Sequence, residues 1–204
     1  MDNLNTSNSP IAASRTTKRV MLDILIALAP ATIAAIVLFG LKAAVIIAVC
    51  VGSALLSEFV FNLLAKKEQT VGDLSAVVTG LLLALNLPAN VPLWQAGVGS
   101  VFAIIVVKCL FGGLGHNLVN PAITARVFML VAFGSMAQAA FPLDAVAGAT
   151  PLVELAAGNS PSLTDLFLGK TGGAIGETCT LALLIGGIYL LCRRVIRWHL
   201  PVAF

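Results

Sequence analysis

Apolar residues along this chain come in blocks too long for the strands or amphipathic helices of a water-soluble domain. The first block, 20–39, is long enough at ~1.5 Å per residue to cross a hydrocarbon core of about 30 Å. Gly40-Leu41-Lys42 is predicted to be a tight turn, and a second block follows over 43–64, ended by polar Ala65-Lys66-Lys67-Glu68-Gln69. The third block, 74–87, is short: its reach of about 21 Å falls below one bilayer core. Leu87-Pro88 ends it, and Pro92 precedes a fourth block over 93–111. A break rich in glycine and asparagine, Gly112-Gly113-Leu114-Gly115-His116-Asn117-Leu118-Val119-Asn120-Pro121, leads to another short apolar stretch, 122–137, which contains Arg126. Residues 138–176 are predicted to be loop-like, with Pro142, Pro151 and Pro161 among them. A last block, 177–191, is followed by Arg193, Arg194 and Arg197. Leu200-Pro201-Val202-Ala203-Phe204 starts as a further apolar helix would, which predicts a natural chain longer than this one.

The pattern predicts an all-α polytopic membrane protein, a transmembrane helix bundle with short and broken helices. Backbone at membrane depth has to satisfy its own hydrogen bonds, so a break such as 112–121 must be packed in protein or line a cavity. Short, interrupted apolar segments point to a binding site between half-helices, and the segments concerned are 74–87 and 112–137. Tilted helices joined by a long loop are the plainer alternative.

Composition agrees. Apolar residues make up 59% of the 204 and charged residues only 10%, against about 25% charged in a typical soluble domain. Residues 1–19 form a polar N-terminal tail rich in Asn, Ser and Thr, which is not a signal peptide, and 20–204 form the membrane domain. No basic stripe with interleaved aromatics suggests nucleic acid. Cys50, Cys109, Cys179 and Cys192 are far apart and form no CxxC pair, and His116 and His199 are the only histidines. The cysteines therefore read as small apolar residues in helices, and no metal site is predicted.

Charge distribution orients the chain. If the N-terminus is cytoplasmic and each block crosses once, the inner side receives Arg15, Lys18, Arg19, Lys66, Lys67, Lys108, Arg126, Arg193, Arg194 and Arg197. The outer side receives only Lys42 and Lys170. Cytoplasmic loops carry the excess of Lys and Arg, so the 138–176 loop is placed outside.

Two sets of residues carry candidate chemistry. The heptapeptide Asp144-Ala145-Val146-Ala147-Gly148-Ala149-Thr150 sets one threonine behind small residues in a polar break, where a modifying enzyme has clearance to reach its hydroxyl. Taken alone, Thr150 before Pro151 also fits a helix N-cap, and Asp144 an ordinary turn aspartate. The second set is the charged groups in or near apolar segments: Asp23, Glu58, Asp73, Lys108 and Arg126. Lys108 and Arg126 read as snorkelling side chains. Asp73, opening a short segment, and then Glu58 are the candidates for an ion path.

Several segments, specific in this order, carry a family resemblance: Gly72-Asp73-Leu74-Ser75-Ala76-Val77-Val78-Thr79-Gly80, Lys108-Cys109-Leu110-Phe111-Gly112-Gly113-Leu114-Gly115, Asn117 with Asn120-Pro121-Ala122, the residues 144–152, and Gly173 through Gly176-Glu177-Thr178 and on to Gly186-Gly187. The chain resembles the RnfD component of Rnf ferredoxin:NAD oxidoreductase complexes and, more distantly, the NqrB component of sodium-pumping NADH:quinone reductases. The resemblance implies a bacterial inner-membrane subunit that is not catalytic alone. Such a subunit works beside iron–sulfur and flavin subunits to couple ferredoxin–NAD exchange to movement of Na⁺ or H⁺. It further implies FMN joined by a phosphoester to Thr150, on the outer side, installed by a flavin transferase. Asp144, Gly148 and Ala149 would belong to that attachment site. Asn117 and Asn120 would offer amides either to a flavin ring or to the backbone of the break. Where the family has Ser or Thr three residues before the acceptor, this chain has Ala147. The resemblance leaves open a second, non-covalent flavin, and suggests that these residues hold the first half of an inverted-repeat, channel-like fold. The chain shows no nicotinamide fingerprint of its own. The rival function is a small-solute channel or transporter without a redox role, which broken helices suit equally; a purely structural scaffold is a third.

Overall fold

A computed structural model describes residues 17–134, 155–156, 162–169 and 171–199. Every regular element among them is helical: α1 (Thr17–Phe39), α2 (Leu41–Leu64), a 3-10 turn (Val71–Asp73), α3 (Ser75–Leu85), α4 (Leu93–Phe102, continuing as a π-helix over Ala103–Cys109), α5 (Pro121–Ala132), α6 (Leu163–Leu168) and α7 (Thr180–Cys192). Helices α1 and α2 are long and apolar enough to cross a membrane, and α3, α4, α5 and α7 are shorter apolar helices. The exposed faces carry large apolar side chains such as Ile33, Val37, Leu56 and Leu63, as expected of a protein solvated by lipid. The chain is an α-helical membrane protein.

Small residues decide the packing. The inward stripe of α1 is Asp23, Ala27, Ala31, Ala35 and Phe39, one residue per turn at i+4 spacing. On α2 the stripe is Ala43, Ile46, Cys50, Ala54, Ser57, Glu58 and Asn62. Against it lies α3, the helix most enclosed by protein. A Cβ on its Gly80 would sit 2.9 Å from the Cys50 carbonyl oxygen and 2.9 Å from Val51 Cα, so glycine is what lets the two backbones approach. This is the small-residue contact by which helices associate in lipid. The Ser100 hydroxyl of α4 donates to the Cys50 carbonyl at 2.7 Å, and Gly186 of α7 gives α1 the same close approach at Ala27.

The predicted boundaries shift in physical detail. The helix over Thr17–Phe39 takes in Lys18 and Arg19, which the sequence assigned to the tail; residues 1–16 lie outside the described set. The predicted three-residue turn shrinks to one residue, Gly40, whose φ of 69° few other residues adopt. α3 ends at Leu85, where the N–H groups of Ile175 and Gly176 donate to the carbonyls of Leu87 (2.9 Å) and Leu85 (2.8 Å). Those bonds satisfy a helix end that would otherwise be left open. Within the predicted loop 138–176, Leu163–Leu168 is helical. Glu177 lies outside the last span and accepts from the Ala174 N–H at 3.1 Å, while α7 begins at Thr180.

The helices alternate in direction. The start of α1, the end of α2, the start of α3, the end of α4, the start of α5 and the end of α7 meet at one end of the bundle. Met21, Ser75, Lys108 and Pro121 share a cleft there, and Arg193 reaches back to Asp23. At the opposite end Trp94 packs edge-on against Phe133, ring centroids 5.3 Å apart. Trp94 and Trp198 are both exposed, one toward each end, where amphipathic rings sit at membrane–water interfaces.

Candidate functional site

Asp144, Gly148, Ala149 and Thr150, the predicted flavin-attachment residues, lie outside the described residues. Among those that are described, the chemistry concentrates at the end of the bundle where α2, α3, α4 and the 112–120 break converge.

There Lys108 is 2% exposed and Glu58 1%, each toward the end of its helix. Lys108 Nζ donates to Glu58 Oε1 at 2.7 Å and to Ser75 Oγ at 2.5 Å. Ser75 in turn donates from Oγ and from its N–H to Asp73 Oδ1, at 2.5 and 2.8 Å. On the other side, the Thr70 hydroxyl donates to Glu58 Oε1 at 2.7 Å and accepts from Asn62 Nδ2 at 3.0 Å. A continuous polar row thus runs Asn62, Thr70, Glu58, Lys108, Ser75, Asp73. The reading of Lys108 as a snorkelling side chain is therefore overturned. The reason lies in the π-helix over Ala103–Cys109. Its wider turn, seen in Leu110 N–H donating to the Ile105 carbonyl and Gly113 N–H to that of Lys108, puts Lys108 on the protein-facing side. Such π segments are frequently found at functional sites.

The row forms the wall between two clefts. One, of about 340 Å³, is lined by Glu58, Asn62, Thr70, Asp73 and His116. The other, of about 390 Å³, is lined by Ser75, Thr79, Lys108, Asn117 and Asn120. Two buried side-chain polar atoms among the described residues have no hydrogen-bond partner: Glu58 Oε2 and Asn117 Oδ1. They belong one to each cleft.

The remaining candidates sort as follows. Asp73 and Glu58, the predicted ion-path residues, are brought into one row by Lys108 and Ser75, which sequence reasoning did not link to them. Asn120 caps α5, its Oδ1 accepting from Ala122 N–H at 3.0 Å and more weakly from Ile123 N–H at 3.4 Å, with Pro121 at the first helical position. Its side-chain oxygen serves the first turn of α5, at the end of the break. Asp23 is 2% exposed and pairs with the Arg193 guanidinium at 3.1 Å, while the Tyr189 hydroxyl donates to it at 3.3 Å. That pair ties α1 to α7. Arg126 is half-buried on α5.

Comparison with known proteins gives this arrangement its setting. The chain is 50% identical over 99% of its length to the D component of the Na⁺-translocating ferredoxin:NAD⁺ oxidoreductase complex of Acetobacterium woodii. It is 33% identical over 96% of its length to the D component of the proton-translocating complex of Clostridium ljungdahlii. With the D component of the ion-translocating oxidoreductase complex of Stutzerimonas stutzeri it is 36% identical over 90%. It spans 66%, 64% and 63% of those relatives' own lengths. The sequence profile of the NQR2, RnfD, RnfE family matches residues 5–204. The chain belongs to the NQR2, RnfD, RnfE family.

Proposed function

We propose that this chain is part of the RnfD component of an Rnf-type complex, coupling ferredoxin–NAD redox exchange to translocation of Na⁺ or H⁺. The observation that carries this reading is the 50% identity, over 99% of the chain, to the component so named in Acetobacterium woodii. The chain works as one subunit of an ion-translocating oxidoreductase and is not catalytic alone. Its partners are iron–sulfur and flavin subunits, and a flavin transferase matures it. It sits in the bacterial inner membrane with the N-terminus cytoplasmic. The alternating helices support that orientation, since they gather Lys66, Lys67, Arg193, Arg194 and Arg197 at one end, the side the positive-inside rule makes cytoplasmic.

In this reading Thr150 carries FMN through a phosphoester on the outer side, within the segment from Asp144 through Gly148 and Ala149. Attached there, FMN would supply one- and two-electron redox chemistry, with the protein supplying position and electrostatics. The threonine hydroxyl is a chemically suitable phosphoryl acceptor, and the small residues before it leave room for the transferase. The membrane helices supply the ionic half of the coupling. Glu58 and Asp73 are carboxylates joined through Lys108 and Ser75 in one hydrogen-bonded row, and ionisable groups in or beside apolar membrane helices mark ion routes. Asn117 lines the cleft beside them, an amide available to a bound group.

The test is in-gel flavin fluorescence after denaturation, with the chain co-expressed with a flavin transferase active on a control. A fluorescent wild-type band that vanishes in Thr150→Ala is expected. A wild-type band without fluorescence would refute the covalent flavin and leave a solute channel as the reading to pursue.

A further inference from the structure

Lys108 is held at 2.7 Å by Glu58, and the two unsatisfied buried atoms among the described residues lie on either side of it. Glu58 Oε1 is filled by Lys108 and Thr70, while Oε2 is buried with no donor. A carboxylate with one oxygen saturated and the other bare, in a cleft also lined by Asn62, Thr70 and Asp73, offers hard oxygen ligands for a small cation. Across the wall, Asn117 Oδ1 is an acceptor without a donor in a cleft that Lys108 itself lines. The lysine stem is flexible and its ammonium a compact point charge with three rotatable donors. It therefore has two places to be: on Glu58, or turned into the neighbouring cleft toward Asn117.

We propose that Lys108 is a tethered cation that competes with the coupling cation for Glu58, withdrawing toward Asn117 when the cation binds. The proposal rests on the translocating function above and names its switch. The chemistry is that of a monovalent cation a carboxylate accepts, Na⁺ or a proton. With Lys108 on Glu58 the site is closed and charge-balanced. When a cation takes Glu58, the ammonium moves to the Asn117 oxygen and retains Ser75, whose hydroxyl is already anchored on Asp73. Lys67, Glu68, Asp73, Cys109 and His116 are the other titratable groups lining the Glu58 cleft.

A competitor lowers apparent affinity by the fraction of time the site is open. If Lys108 leaves Glu58 free roughly a tenth of the time, the apparent Kd for the cation is raised about tenfold. The experiment uses the assembled complex in proteoliposomes, reading ferredoxin:NAD turnover against Na⁺ at fixed pH and against pH at fixed Na⁺, together with cation uptake per electron. Lys108→Met is expected to half-saturate at a cation concentration about tenfold lower than wild type, with uptake per electron reduced, and Lys108→Arg to stay near wild type. The titration in which the shift occurs identifies the cation; a shift in neither overturns the proposal. Should Lys108→Met not assemble, Asn117→Leu carries the test with the opposite sign. Without its second acceptor the ammonium stays on Glu58 and half-saturation moves to higher cation, and an unchanged value overturns the switch. A wild-type complex that turns over without any cation uptake would instead remove the translocating function itself.

Discussion

Replacing Lys108 by methionine removes one partner of an ion pair whose side chains are 2% and 1% exposed. Removing one member of a buried pair typically costs about 3–5 kcal/mol, because the other charge stays behind unpaired. The expected loss is therefore about 3–5 kcal/mol, or about 6–20 °C in melting midpoint for a chain of this size. Cys50 and Cys109 are free and buried, so a thiol-reactive fluorophore reports unfolding in detergent. A Lys108→Met midpoint within about 2 °C of wild type would refute the reasoning.

Gly80→Val places a branched side chain where a Cβ alone already meets the Cys50 carbonyl and Val51 Cα at 2.9 Å. Both atoms are α2 backbone, which cannot swing aside as a side chain would, so a loss of about 1–3 kcal/mol is expected, read as a lower melting midpoint in the same assay. Arg193→Ala removes the guanidinium from Asp23, which keeps the Tyr189 hydroxyl; Arg193 is 39% exposed and water already screens it, so the midpoint should fall by less than for Lys108→Met. Its half-saturating cation concentration in the assembled complex should not move, because this pair lies outside the wall between the two clefts.

How much of this was legible depends on the kind of signal each residue leaves. Long apolar blocks announce α1 and α2 because length and hydropathy are the same thing in a membrane. The break at 112–121 announces itself by glycine, and Gly112, Gly113 and Gly115 indeed take positive φ. Asn120-Pro121 reads directly as a helix start, and the asparagine caps it. The π turn left no such mark. Its sequence, Ala103-Ile104-Ile105-Val106-Val107-Lys108-Cys109, is apolar on every face up to Lys108, so periodicity says nothing about which way the lysine points. A charge at the end of an apolar block then looks like a snorkel. The partnership of Glu58 with Lys108 spans 50 positions and had no local signature. Glu58 and Asp73 were visible as charges out of place, while Ser75 and Thr70, which link and orient them, are residues that sequence alone reads as ordinary helix and turn chemistry.

The two ion pairs at this end of the bundle allow structure and function to be separated. A buried ion pair is poor evidence of a stabilising role, since well-packed apolar residues of similar volume often hold a fold as well or better. The Asp23–Arg193 pair is nevertheless built like a strap. Its Oδ1 accepts from Arg193 Nε and Nη2 and from Tyr189, and Oδ2 accepts from Arg193 Nη2 at 3.4 Å. It joins the first described helix to the last, with the guanidinium partly in solvent. The Glu58–Lys108 pair is more deeply enclosed and yet less complete, with a bare carboxylate oxygen on one side and a bare amide oxygen on the other. Evolving stability alone would fill those valences or remove the charges. Leaving both acceptors open, each facing its own cleft and with a mobile cation between them, makes sense where the occupant of the carboxylate has to change.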